Sequence, residues 1–173
     1  MIKTVYLAGP DVFLNDNTAE RKKSLCVAAG LTPLFPLDNE ITGPDPAPAI
    51  FKANIDMIEA CDAIIANVTP FRGPSCDPGT AFEIGYAASL GKGIFCYSAD
   101  ARDLKSRIDQ DYPQYCSDGM AIEEFGYQDN LMIACVDCID VVHQIGLDDA
   151  QSAFAAFQLS LSRIRLANAS IQP

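Results

Sequence analysis

Four short apolar runs recur along the first hundred residues: TVYLAG (4–9), LTPLF (31–35), DAIIANV (62–68) and GIFCYS (93–98). They are apolar almost throughout rather than at alternate positions. A strand of that kind must be covered on both faces, which points to a parallel sheet with helices as its crossovers. The stretches between the runs, roughly 17–29, 47–60 and 79–90, have helical length and pattern. Right-handed crossovers then give an α/β fold: a single-domain, flavodoxin-like or Rossmann-like parallel sheet flanked by helices.

Beyond the fourth run the pattern changes. Residues 99–128 read as irregular, polar and turn-rich, and 130–145 and 148–167 as two helices separated at Gly146. The proline-dense TGPDPAP (42–48) reads as a loop, and no repeat or linker divides the chain, so residues 1–173 are expected to form one domain.

Charge narrows the partners. A net charge of −11 opposes nucleic acid and anionic membrane, leaving small neutral or cationic ligands. No apolar run approaches the ~20 residues of a membrane span. The opening MIKTVYLAGPD has no signal-peptide layout, so a cytoplasmic protein is expected. Seven cysteines without an export signal read as reduced thiols. Cys135 and Cys138, with His143 five residues further on, have metal-like spacing, but no second pair completes a zinc site. No metal or other cofactor is expected.

In such a fold, ligands bind outside the carboxyl ends of the strands. That rule selects AGPDVF, PLDNE and TPFRGPSCDPGTAFE, which hold Asp11, Asp38, Glu40, Asp77 and Glu83 and make an acidic cleft. GYAASLGKG resembles a phosphate loop, but five residues separate Gly85 from Gly91 and glycine follows Lys92. It is better read as a helix end stopped by Gly91. Two helix starts compete upstream. TAFE fits a capping box in which Glu83 reaches back to Thr80. Alternatively Asp77 caps the helix with Pro78 at its first position, which leaves Glu83 without a capping role. Both starts stay open on these residues alone. Two carboxylates on one loop-to-helix segment suit glycosidic-bond chemistry, one of them attacking an anomeric carbon. Tyr6 in the first strand and Asp56 in NIDMIEACD are further candidates, against plain readings as a core residue and a solvated helix charge.

Taken together, YLAGPDVF, FPLDN, NIDMIEACDAIIANVTPFRG, DPGTAFEIGYAASLGKG and EEFGYQDNLMI resemble the nucleoside 2-deoxyribosyltransferase family over about residues 4–135. The resemblance implies a flavodoxin-like fold and transfer of 2-deoxyribose between nucleobases through a covalent deoxyribosyl-enzyme intermediate. It implies Glu83 as nucleophile, Asp77 as holder of the sugar hydroxyls and Asp56 as proton donor or acceptor facing the base. Tyr6 would position the nucleophile, and Gly9, Phe13 and Glu40 would contact substrate. Glu40 departs from the polar residue usual after LDN, which bears on base preference. Asn130, Leu131 and Met132 would reach a neighbouring subunit's site, implying a homo-oligomer built on dimers, up to a hexamer. The implied partners are nucleosides and free nucleobases.

The nearest rival is a hydrolase of deoxynucleosides or their 5′-monophosphates. That enzyme needs a phosphate cradle, and Asp11 in AGPDVF is expected to repel phosphate. A receiver-type signalling domain would need an aspartate at the end of the third strand, where this chain has ANVTP.

Overall fold

The computed structural model describes residues 1–39, 41–142 and 149–170. Five parallel strands form one sheet: β1 (Thr4–Ala8), β2 (Thr32–Leu34), β3 (Ala63–Asn67), β4 (Gly93–Ser98) and β5 (Ile139–Val141). Their order is β2-β1-β3-β4-β5, the flavodoxin-like arrangement, whose switch point lies between β1 and β3. The helices are α1 (Thr18–Ala28), α2 (Ala47–Ala60), α3 (Pro78–Ser89), α4 (Leu104–Asp111), the single turn α5 (Leu131–Ala134) and α6 (Asp149–Ala169). Among the described residues, no helix is long and apolar enough to cross a membrane.

Alternation along the strands builds two cores. Val5, Leu7, Ile65, Phe95 and Tyr97 pack on one face with Cys26 of α1 and Phe157, Leu161 and Ile164 of α6. Tyr6, Ala8, Ile64, Ala66 and Cys96 pack on the other with Ile58 of α2 and Ile84 and Ala87 of α3. Each fully buried Ile adds about 2–3 kcal/mol of transfer free energy. The same alternation turns Tyr6 towards α3, the helix that carries Glu83.

The first four strands and the helices over 17–29, 47–60, 79–90 and 148–167 form close to their expected places. Two readings are corrected. Within the described residues the helix expected over 130–145 is one turn, and Ile139–Val141 after it pairs with β4 as a fifth strand, Cys96 opposite Ile139; the expected break at Gly146 lies outside those residues. A three-residue strand cannot be told from a helix by periodicity alone. The irregular segment 99–128 holds α4, capped by Asp103, whose carboxylate accepts the Ser106 N–H at 2.9 Å. Both outer strands are three residues long, and β2 contains Pro33.

At the switch point the chain is tightly fitted. Gly9 holds φ 147, and a Cβ there would lie 2.6 Å from Cβ of Asn67, so only glycine passes. Asn67 Nδ2 donates to Asp11 Oδ1 at 3.2 Å, and Lys22 Nζ of α1 donates to Asp11 Oδ2 and to the Tyr97 hydroxyl, both at 2.6 Å. The Lys22 ammonium and the Asp11 carboxylate are both buried. Burial pushes Lys22 below the ordinary lysine range, and the Asp11 charge opposes that shift.

Removing one partner of a buried pair strands the other charge. Asp11→Ala should cost about 3–5 kcal/mol in urea unfolding at neutral pH. Asp11→Ala with Lys22→Met should recover much of that loss. Equal losses in the single and double variants would contradict the pairing.

Candidate active site

Of the two possible starts for α3, the Asp77–Pro78 one forms. Asp77 Oδ2 accepts the Thr80 N–H at 2.9 Å and the Thr80 hydroxyl at 3.3 Å, and Pro78 takes the first helical position. Thr80 lies buried within the first turn, and Glu83 stands in the second turn free of any capping duty. Its Oε1 instead accepts the Tyr6 hydroxyl at 2.6 Å, joining α3 to β1.

This pair is electrostatically tuned. Burial pushes the Glu83 carboxyl up to about 7; the Tyr6 hydrogen bond pulls it down and the nearby Asp77 charge adds to the rise. Tyr6 is held far above the ordinary phenol range, chiefly by burial and then by the Glu83 charge, so it remains a neutral donor. Near neutral pH Glu83 therefore exists as both acid and carboxylate. In the carboxylate, Tyr6 anchors Oε1, and Oε2 carries no hydrogen bond among the described residues. The second oxygen of Asp77, Oδ1, carries no hydrogen bond among the described residues and can accept a hydroxyl.

Two other expected acids are neutralised. Asp11 is buried against Lys22, and Asp38 accepts from Lys23 Nζ at 2.6 Å and from the Phe35 N–H at 3.0 Å. The expectation that Asp11 would repel phosphate is therefore corrected: its charge is compensated inside the protein. Glu40 lies outside the described residues, as does His143; Cys135 and Cys138 are exposed.

Asp56 is not brought to the Tyr6–Glu83 pair. It is exposed, bound to Lys52 at 2.8 Å, and lines an open groove of about 800 Å³ with Leu34, Asp38, Asn39, Ile41 and Met57. The residue of NIDM on the same helical face as the buried Ile58 is Asn54, whose Oδ1 is buried with no partner among the described residues. Helical phase, two residues earlier in the motif, is the signal that distinguishes the two. Phe13 is exposed in the loop after β1 and stacks on Phe71, ring centres 5.2 Å apart. Gly9 lies in the same loop.

Loop 69–77 is fastened by residues that motif reading passed over. Asp129, fully buried, accepts the Cys76 N–H at 2.8 Å through Oδ2 and the Asn130 N–H at 2.7 Å through Oδ1. Arg107, also fully buried, pairs with Asp100 and donates to the carbonyls of Pro74, Gln128 and Arg102. Asn130 caps α5, accepting the Met132 N–H and donating to Glu123, and Met132 is 73% exposed.

A sequence profile of the nucleoside 2-deoxyribosyltransferase family matches residues 5–132. Among solved structures, a 2-desoxiribosyltransferase from Leishmania mexicana is 40% identical, with a TM-score of 0.70 over 92% of this chain and 97% of that one. The 2-deoxyribosyltransferase of Bacillus psychrosaccharolyticus, 20% identical, shares the fold with a TM-score of 0.50 over 89% of this chain and 95% of that one. An uncharacterized protein of Schizosaccharomyces pombe is 32% identical over 117 residues, 62% of this chain. The match spans 55% of that relative, about half its length.

Because the folded-state pKa of Glu83 stands near 7, above the ordinary 4.5, the native protein keeps a proton that the unfolded chain releases. Stability is therefore lost as pH rises from 4.5 through 7. Glu83→Gln still accepts from Tyr6 but has no charge to bury. It should be more stable than the parent by about 1–3 kcal/mol near pH 8, with the gap closing near pH 4. Urea unfolding at both pH values checks this, and a gap independent of pH would contradict the raised carboxyl.

Proposed function

Because this chain belongs to the nucleoside 2-deoxyribosyltransferase family, we propose that it exchanges the base of 2-deoxyribonucleosides by double displacement at Glu83. The observation that carries this reading is the buried Tyr6–Glu83 hydrogen bond at the switch point of the sheet.

In the first step a Glu83 carboxylate oxygen bonds to C1′ while the C1′–N bond breaks. The bonding pair leaves with the base, which takes up a proton. The incoming base then gives up its N–H proton and bonds to C1′ from the face the first base left, while the C1′–O bond breaks and its pair returns to the Glu83 carboxylate, giving net retention. Tyr6 orients the nucleophile and favours its ionised form; Asp77 holds the sugar hydroxyls through its free oxygen. Phe13 and Gly9 contact substrate, as does Glu40. Asp56 serves the departing base as proton donor or acceptor only by exchanging Lys52 for it. A 2′-hydroxyl withdraws electrons from the oxocarbenium-like transition state, so deoxyribose is the easier sugar. We also propose a homo-oligomer in which Asn130, Leu131 and Met132 complete a neighbour's site.

Incubation with deoxyinosine and adenine should yield deoxyadenosine, read by chromatography. Free deoxyribose alone would mean hydrolysis. Glu83→Ala should cut exchange by roughly a thousandfold or more while the protein stays folded. Full transfer by that variant would overturn the assignment.

Tyr6→Phe removes the bond that lowers the Glu83 pKa. Its exchange rate should fall about ten- to a hundredfold, and the acidic limb of its pH–rate profile should move to higher pH. An unmoved limb would argue against Tyr6 tuning the nucleophile.

A further inference from the structure

The stretch TPFRGP (69–74) carries a cation that the steps above leave unused. Arg72 is exposed and holds φ 53, the one positive φ at a non-glycine residue among those described. A left-handed backbone at arginine costs of order 1 kcal/mol. The side chain is thus kept where glycine would relax the turn.

That turn brings the guanidinium carbon 4.8 Å from the Phe71 ring centre and 5.6 Å from that of Phe13. The two rings stack 5.2 Å apart and 12° from parallel. The three centres form a nearly equilateral triangle, so the guanidinium flanks the ring pair instead of capping it. Phe13 remains 58% exposed, with ring surface free for a flat ligand. Phe13 rises from the loop after β1 and Phe71–Arg72 from the loop after β3, so the platform spans the switch point.

The platform is pre-organised. Thr69 donates to Asn67 at 2.6 Å, and the Phe71 N–H donates to the Ser75 carbonyl at 3.0 Å. Arg107 and Asp129 fasten Pro74 and Cys76 behind them. Arg72 itself makes no ion pair or hydrogen bond within the described residues, although the chain has 23 acidic side chains against 12 basic ones. By contrast, Lys22, Arg102 and Arg107 are each bound to a carboxylate.

We propose that Phe13, Phe71 and Arg72 form a subsite for the edge of the base and select 6-oxopurines, hypoxanthine and guanine. The base-exchange reading above supplies only the premise that the ligand is a nucleobase. A base stacks on the open surface of Phe13, a contact of about 1–3 kcal/mol. The guanidinium offers donors only, in a planar fork. A 6-oxopurine presents two acceptors, O6 and N7, on one edge and matches that fork. Adenine replaces one acceptor with an amino group and sets donor against donor. Uracil and thymine offer a single carbonyl on the corresponding edge.

Arg72→Gly is the informative variant, because φ 53 suits glycine and the loop keeps its turn. Arg72→Lys keeps the charge without the fork. Binding of free hypoxanthine and free adenine is measured by calorimetry, alongside kcat/KM for each as acceptor from a common deoxyribosyl donor. The wild-type protein should favour hypoxanthine, and the hypoxanthine-to-adenine ratio should fall at least about tenfold in Arg72→Gly, with only partial recovery in Arg72→Lys. A wild-type preference for adenine, or a ratio unchanged in Arg72→Gly, overturns the subsite. So does a loss confined to deoxynucleoside 5′-monophosphates, which would make Arg72 a phosphate contact. Selective, Arg72-dependent binding without transfer to any base would sustain the subsite and retire the exchange reading. Transfer with an unselective ratio would do the reverse.

Discussion

The backbone contact between Gly9 and Asn67 is the constraint from which the site follows. Without a Cβ at residue 9, the chain leaving β1 lies directly against the end of β3. That approach lets Asn67 reach Asp11 and lets Lys22 close the arrangement from α1. The loops after β1 and β3 are thereby fixed at the switch point, the one place where successive crossovers diverge and leave an opening. Tyr6 and Glu83 meet under that opening because strand alternation and helical phase both turn them towards it.

Glu83 sets two effects against each other. Burial makes its charge costly, while Tyr6 returns part of that cost by bonding the ionised form. A carboxyl poised near neutrality is the result, the property that the proposed double displacement draws on. Asp129 adds a second kind of constraint. One carboxylate holds both the residue before Asp77 and the residue that begins the exposed Asn130–Met132 turn. The start of α3 and the outward segment therefore share an anchor in Asp129.

The sheet's first four strands and the Asp77–Glu83 segment were legible because apolar runs, caps and motif spacing are local. Tyr6 was legible too, since its place within β1 follows from alternation. Four things were not. Strand β5 is a three-residue segment, Ile139–Val141, whose character is decided by pairing with β4, a contact far away in sequence. The neutralisation of Asp11 depends on Lys22, eleven residues away on another element, so counting acids overstated the charge of the cleft. Asn54 and Asp56 differ only in helical phase, and a motif quoted as letters does not carry phase. Arg107 belongs to no motif, and Asp129 lies within EEFGYQDNLMI without standing out there; their role is set by backbone groups they meet only in three dimensions.

Pro33 has a consequence for how copies of this chain can meet. It sits in the outer strand β2, where it offers no N–H, and the opposite outer strand is equally short. Within the described residues, each margin therefore presents only a short row of free donors and acceptors for another sheet to continue. Growth by strand addition, the route to ribbons and fibres, is disfavoured at both margins. That favours assembly through helices and loops, where side-chain shape rather than the repeating backbone decides which surfaces match.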